Sequence, residues 1–71
     1  MGFIVVWVHE SGIRFYLEEI KISRDGTALK WCKQTEKANL FHSSESILLD
    51  KIMSLYFEGK YYYEYFGGFE K

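Results

Sequence analysis

Three groups of side chains in this sequence could do chemistry, and each asks for a different arrangement. Cys32 with His9 or His42 would supply a thiolate and its base, which requires the imidazole within hydrogen-bond reach and a third group to orient it. Neither histidine stands in a local signature of that kind. Cys32 is therefore expected as a small half-buried strand residue, and His42 as a polar residue ahead of a helix cap. Glu18 and Glu19 are adjacent carboxylates that could share acid/base work. On a regular strand adjacent side chains point to opposite faces, and a chain this short has little room for a substrate cleft. The pair is expected instead as an exposed acidic edge that docks a basic surface or blocks edge-to-edge pairing. The third group is aromatic: Tyr61, Tyr62, Tyr63 and Tyr65, followed by Phe66. Such a run can stack unpaired bases, anchor a protein interface, or serve only as cross-strand packing.

Other chemistries find no foothold in the residues. A metal site needs three or four converging ligands with close pairs, and the adjacent His9 and Glu10 diverge on a strand. Phosphate cradling needs a glycine-rich loop leading into a helix, whereas Gly67-Gly68 leads into Phe69 near the end of the sequence. The expectation is a non-enzymatic protein with no cofactor and no metal.

The elements that position these residues must come from one domain, since 71 residues cannot divide a core in two. The composition is 48% hydrophobic and the net charge is −1, too apolar and too close to neutral for a disordered chain. The same balance removes the basic footprint of a protein held on nucleic-acid phosphates or an anionic bilayer. A single cysteine allows no internal disulfide, and small secreted domains usually carry several, which points to a cytoplasmic protein. The opening run at 3–8 has no basic stretch before it and is interrupted by His9 and Glu10, as expected of a strand rather than a secretion signal. No apolar run approaches the roughly 20 residues that span a bilayer.

Residues 3–8 are β-branched and aromatic, the pattern of a strand in the middle of a sheet. His9-Glu10-Ser11-Gly12 supplies a hairpin turn. In the next strand Ile13, Phe15 and Leu17 alternate with polar residues, then the apolar phase slips to Ile20 and Ile22, which predicts a β-bulge at Glu18-Glu19. Arg24-Asp25-Gly26 turns the chain again, with Gly26 taking positive φ, into a third strand that points Leu29 and Trp31 to one face. A connector follows, with Ala38, Leu40 and Phe41 pointing inward. Ser43 or Ser44 then caps a helix at about 44–58, and Gly59 is placed as its left-handed end. On a helical wheel Leu48, Leu49, Ile52, Leu55 and Tyr56 fall on the side that should cover the sheet. Ile47 is explained as a staple at the helix start and Phe57 as covered by the C-terminal segment. A fourth strand at 60–66 carries Tyr61, Tyr63 and Tyr65 on one face and Tyr62, Glu64 and Phe66 on the other; a mobile end at 67–71 closes the chain. The expected fold is α+β: a three- or four-stranded antiparallel sheet in the order β-β-β-α-β with one amphipathic helix on one face, its core centred on Trp31, Phe15, Leu17, Leu48, Ile52 and Leu55.

The glycine at Gly12, the pair Phe15-Tyr16, and the series Trp31, Ala38, Phe41, Ser44 leading into an amphipathic helix carry a resemblance. Over about residues 3–56 the chain resembles short early and accessory proteins of tailed bacteriophages and prophages. That resemblance implies no catalytic residues, and a role in binding and modulating a host protein, defence systems included, within the host cytoplasm. The partner is expected to be a protein bound through Tyr61, Tyr62, Tyr63 and Tyr65, with Glu18 and Glu19 adding charge complementarity. A homodimer through a strand edge or the exposed aromatics is also expected. The alternatives are a single-strand nucleic-acid binder using the tyrosines and an oligomer that sequesters a small molecule or nucleotide.

Overall fold

The computed structural model describes residues 2–66. The mobile end expected at 67–71 lies outside the described residues. Five antiparallel strands and one helix make up an α+β domain. β1 (Gly2–Val8) is the centre of the sheet. On one side it pairs over its whole length with β5 (Lys60–Phe66), from Gly2 opposite Phe66 to Val8 opposite Lys60. On its other side Val6, Trp7 and Val8 pair with the start of β2 (Arg14–Ser23). Gly2 and Phe3 pair there with β4 (Phe41–His42), a two-residue strand that takes up the edge β2 has left. β3 (Gly26–Cys32) lies outside β2.

The hairpins form where the turn chemistry places them. Gly12 at φ 92° and Gly26 at φ 136° are the described residues with positive φ, a region that costs an L side chain about 1–2 kcal/mol. The β2–β3 register shifts between Leu17 and Glu19, at the predicted bulge. After the shift Ile20 pairs with Leu29, so the apolar set stays on the face that Leu17 and Trp31 occupy.

Several expectations are corrected. The sheet has five strands, because the connector contributes β4. The cap is His42 rather than Ser43 or Ser44. Its Nδ1 accepts the Ser44 N–H at 3.1 Å while its own N–H donates to Glu45 Oε1 at 2.8 Å, a reciprocal box built with an imidazole. It opens a 3-10 turn (Ser43–Glu45) that runs into α1 (Ser46–Tyr56). α1 ends two residues before the expected position: Phe57 is extended, and its N–H closes the last turn on the Met53 carbonyl. Gly59 has no positive φ and is not the helix end.

The core is displaced from the predicted centre. Phe3, Val5, Leu17, Phe41, Leu49 and Met53 form it, with Ile20, Leu29, Trp31, Phe57, Tyr61 and Tyr63 packed around them. α1 thus presents Leu49 and Met53 to the sheet, while Leu48 and Leu55 are 59% and 74% exposed. Ile52 is half-buried and Phe15 lies at the margin. Ile47 is exposed rather than stapled, and Leu40 faces solvent rather than the core. Phe57 is covered by Trp7, Trp31 and Tyr61, whose ring centroids lie 5.2, 5.1 and 6.0 Å away.

Candidate functional site

The tyrosine strand is an edge. Among the described residues β5 pairs only with β1, so its outer backbone edge over residues 60–65 has no strand beside it. Strand register sets where each ring goes, since residues paired across antiparallel strands share a face. Tyr61, Tyr63 and Tyr65 stand opposite Trp7, Val5 and Phe3 on the face that α1 covers. Tyr62 stands opposite Val6 on the other face, with Glu64 beyond it opposite Ile4.

Burial then divides the helix-side rings. Tyr63 lies 4.8 Å from the Phe3 ring and 5.9 Å from Tyr61, both centroid to centroid, and is half-buried. Its hydroxyl donates to Asp50 Oδ1, tying β5 to the polar flank of α1. Desolvation chiefly, then the Asp50 carboxylate, pushes the Tyr63 hydroxyl well above the ordinary tyrosine range. A raised folded-state value contributes stability that is fully present below the unfolded tyrosine value of about 10 and is lost as pH rises beyond it. Tyr63→Phe is expected to cost about 0.5–1.5 kcal/mol at neutral pH. It should also flatten the alkaline fall in stability above about pH 10, as denaturant titrations between neutral and alkaline pH will show. An unchanged alkaline slope would mean that Tyr63 is not the group that titrates.

Tyr61 is also half-buried, between Phe57 and Tyr63, so it and Tyr63 serve mainly as packing. Tyr62 and Tyr65 are the exposed members, 40% and 49%, and they lie on opposite faces. The tyrosines therefore do not form one exposed row.

Glu18 and Glu19 are not brought to the tyrosines. They sit on β2, across β1 from β5, where β3 pairs with one side of β2 and the β1 ladder on the other side has already ended at Tyr16. Glu18 lies 3.7 Å from Lys30 Nζ, and Glu19 is the residue paired with Lys30 in the β2–β3 ladder. The Glu18–Lys30 ion pair links β2 to β3 on the surface.

The nucleophile candidates have local partners. Cys32 Sγ lies 3.4 Å from the Tyr16 carbonyl and 3.3 Å from that of Gln34, both hydrogen-bond acceptors for the thiol. His9 Nδ1 lies 2.9 Å from Ser11 Oγ and His42 Nδ1 2.8 Å from Ser44 Oγ. In each the same nitrogen also accepts the serine's backbone N–H, so both are turn and cap contacts, and no carboxylate hydrogen-bonds either ring among the described residues. No group of three or more His, Cys, Asp or Glu able to hold a metal occurs among the described residues. An open cleft of about 600 Å³ lies where Trp7, Val8 and His9 meet Phe57, Gly59 and Lys60.

The structure exposes an apolar row on α1 that helical periodicity alone places against the sheet. Leu55 follows Leu48 by seven positions with the half-buried Ile52 between them, which puts the three in one row on α1. Ile47 and Tyr56 flank that row, 71% and 49% exposed. No helix among the described residues is long and apolar enough to cross a membrane. Comparison of the chain with protein-family models, with curated proteins and with solved structures finds no match.

Proposed function

We propose that this chain is a non-enzymatic protein-binding module of the cytoplasm, working as a homodimer that modulates a host protein in the manner of the phage accessory proteins its sequence resembles. The observation that carries the reading is the row Leu48, Ile52, Leu55 on α1. Residues spaced i, i+4, i+7 along a helix are the anchors with which helices enter apolar grooves, and here Leu48 and Leu55 point away from the domain's own core, 59% and 74% exposed, with Ile52 half-buried beside them. Exposed leucines in sequence along one helix cost solubility unless something covers them. The partner's matching chemistry is an apolar groove with room for two leucines and for the Lys51 ammonium that stands between them on the exposed side.

The test is capture from a bacterial lysate with tagged protein, comparing the wild type with the doubly substituted Leu48→Ser, Leu55→Ser chain. A protein retained by the wild type and lost with the variant, whose melting temperature stays within a few degrees, is the expected result. Equal retention by both chains, or unfolding of the variant, would mean the row is not the docking surface.

A further inference from the structure

We infer that the second copy of this chain joins along β5, the two β5 strands pairing antiparallel about a two-fold axis through Tyr62 into one sheet continuous across both copies. The inference deepens the homodimer half of the reading above and is independent of the helix row.

An unpaired edge of this length is a template for another strand, and proteins ordinarily blunt such edges with proline, a bulge or inward charges. β5 has neither proline nor bulge, and the two charges it carries are of opposite sign. Among the described residues no strand lies beside it over 60–65, and it pairs with β1 without a register shift. What it carries instead is a self-complementary pattern, Lys60-Tyr61-Tyr62-Tyr63-Glu64, with opposite charges equidistant from a central tyrosine.

The pattern selects a register. In an antiparallel pair centred on residue 62, Lys60 of one copy stands opposite Glu64 of the other, and the reverse holds by symmetry. Tyr61 stands opposite Tyr63, and Tyr62 opposite itself. Cross-strand aromatic pairs and opposite charges are the combinations that stabilise a sheet. Shifting the centre by one residue breaks both charge pairs at once. Lys60 and Glu64 are exposed and have no ion pair among the described residues, so both are available to the neighbour. Two-fold closure also uses up the edge, which ends the association at two copies through this strand.

Tyr63 is already fixed for this. Its hydroxyl is held by Asp50 on the helix side, so the ring is positioned before the neighbour arrives and less rotamer freedom is lost on docking. Tyr62, on the other face, lies at the axis beside its own symmetry mate.

Charge reversal and cysteine placement test the register separately. Lys60→Glu and Glu64→Lys each put like charges at both pairs, and each is expected to weaken the dimer about tenfold or more in sedimentation equilibrium near 100 μM. An equimolar mixture of the two variants restores both pairs and should give heterodimer. In a Cys32→Ser background, Tyr62→Cys should cross-link to itself under mild oxidation, since directly opposed strand residues lie about 4.5–5.5 Å apart at Cα, within disulfide reach. Glu64→Cys should not cross-link to itself but should do so when mixed with Lys60→Cys. The Leu48→Ser, Leu55→Ser chain should remain dimeric. A dimer that persists unchanged in both charge variants, or one that cross-links through Glu64→Cys alone, overturns the register while leaving a homodimer in place. A wild type that is monomeric at the same concentration overturns the dimer itself.

Discussion

Phe3→Ala should unfold a large fraction of the protein at room temperature, whereas Leu55→Ala should pass almost unnoticed. Phe3 is fully buried near the start of β1 and its ring meets Phe41, Tyr63 and Tyr65 at centroid distances of 5.8, 4.8 and 5.2 Å. Truncating a buried phenylalanine costs about 3–5 kcal/mol, because the transfer free energy and the contacts around the cavity are lost together. The total stability of a domain is only about 5–15 kcal/mol, and one this small sits toward the lower end. Leu55, three-quarters exposed, has little packing to lose, and alanine is at least as good a helix former, so its change should stay within about 0.5 kcal/mol. Urea titrations of the two variants make the contrast. A large loss at Leu55 with a small one at Phe3 would show that α1 presents the opposite side to the sheet.

That contrast marks where sequence reading succeeds and where it stops. The phase slip from Leu17 to Ile20 is a local signal, and it placed the bulge correctly, as Gly12 and Gly26 placed the turns. The orientation of α1 is not local. Ile47, Leu48, Leu49, Ile52, Met53, Leu55 and Tyr56 spread over most of the wheel, so more than one side could pass for the buried one. Contact with Phe3, Leu17 and Phe41 decides in favour of Leu49 and Met53, and that choice exists only in three dimensions. β4 escapes for another reason: two residues have no period to detect.

The candidate site shows the same division. Alternation along β5 correctly separates Tyr61, Tyr63 and Tyr65 from Tyr62 and Glu64. Which of those faces the helix covers, and that no strand lies beside β5 over 60–65 among the described residues, depend on the β1–β5 pairing, where no hairpin turn sets the register. Alternation alone does not show that Glu18 meets Lys30, because that contact depends on the register beyond the bulge. His42 as a cap was hidden because a ring nitrogen there does the work expected of a hydroxyl.

Gly59 separates the two ways a glycine can be required after a helix, and its substitution should be costly for the reason the sequence did not suggest. A helix-ending glycine in the left-handed region can be replaced by asparagine with modest loss. Gly59 is not in that region. A Cβ placed on it would lie 2.7 and 2.8 Å from two atoms of the Phe57 ring and 3.0 Å from Trp7 Nε1, all shorter than contact distance. Phe57 cannot simply swing aside, because Trp7 and Trp31 already stand 5.2 and 5.1 Å from it, centroid to centroid. Gly59→Ala should therefore cost about 1–3 kcal/mol as overpacking, and Gly59→Asn should cost more, since it adds atoms in the same direction. Tryptophan emission should shift with the alanine change, as Trp7 lies against the added methyl. Phe57→Leu, destabilising by itself, should recover part of the loss when combined with Gly59→Ala, giving a favourable coupling in the double-mutant cycle. Asparagine tolerated better than alanine, with no coupling to Phe57, would return Gly59 to the role of a helix terminator.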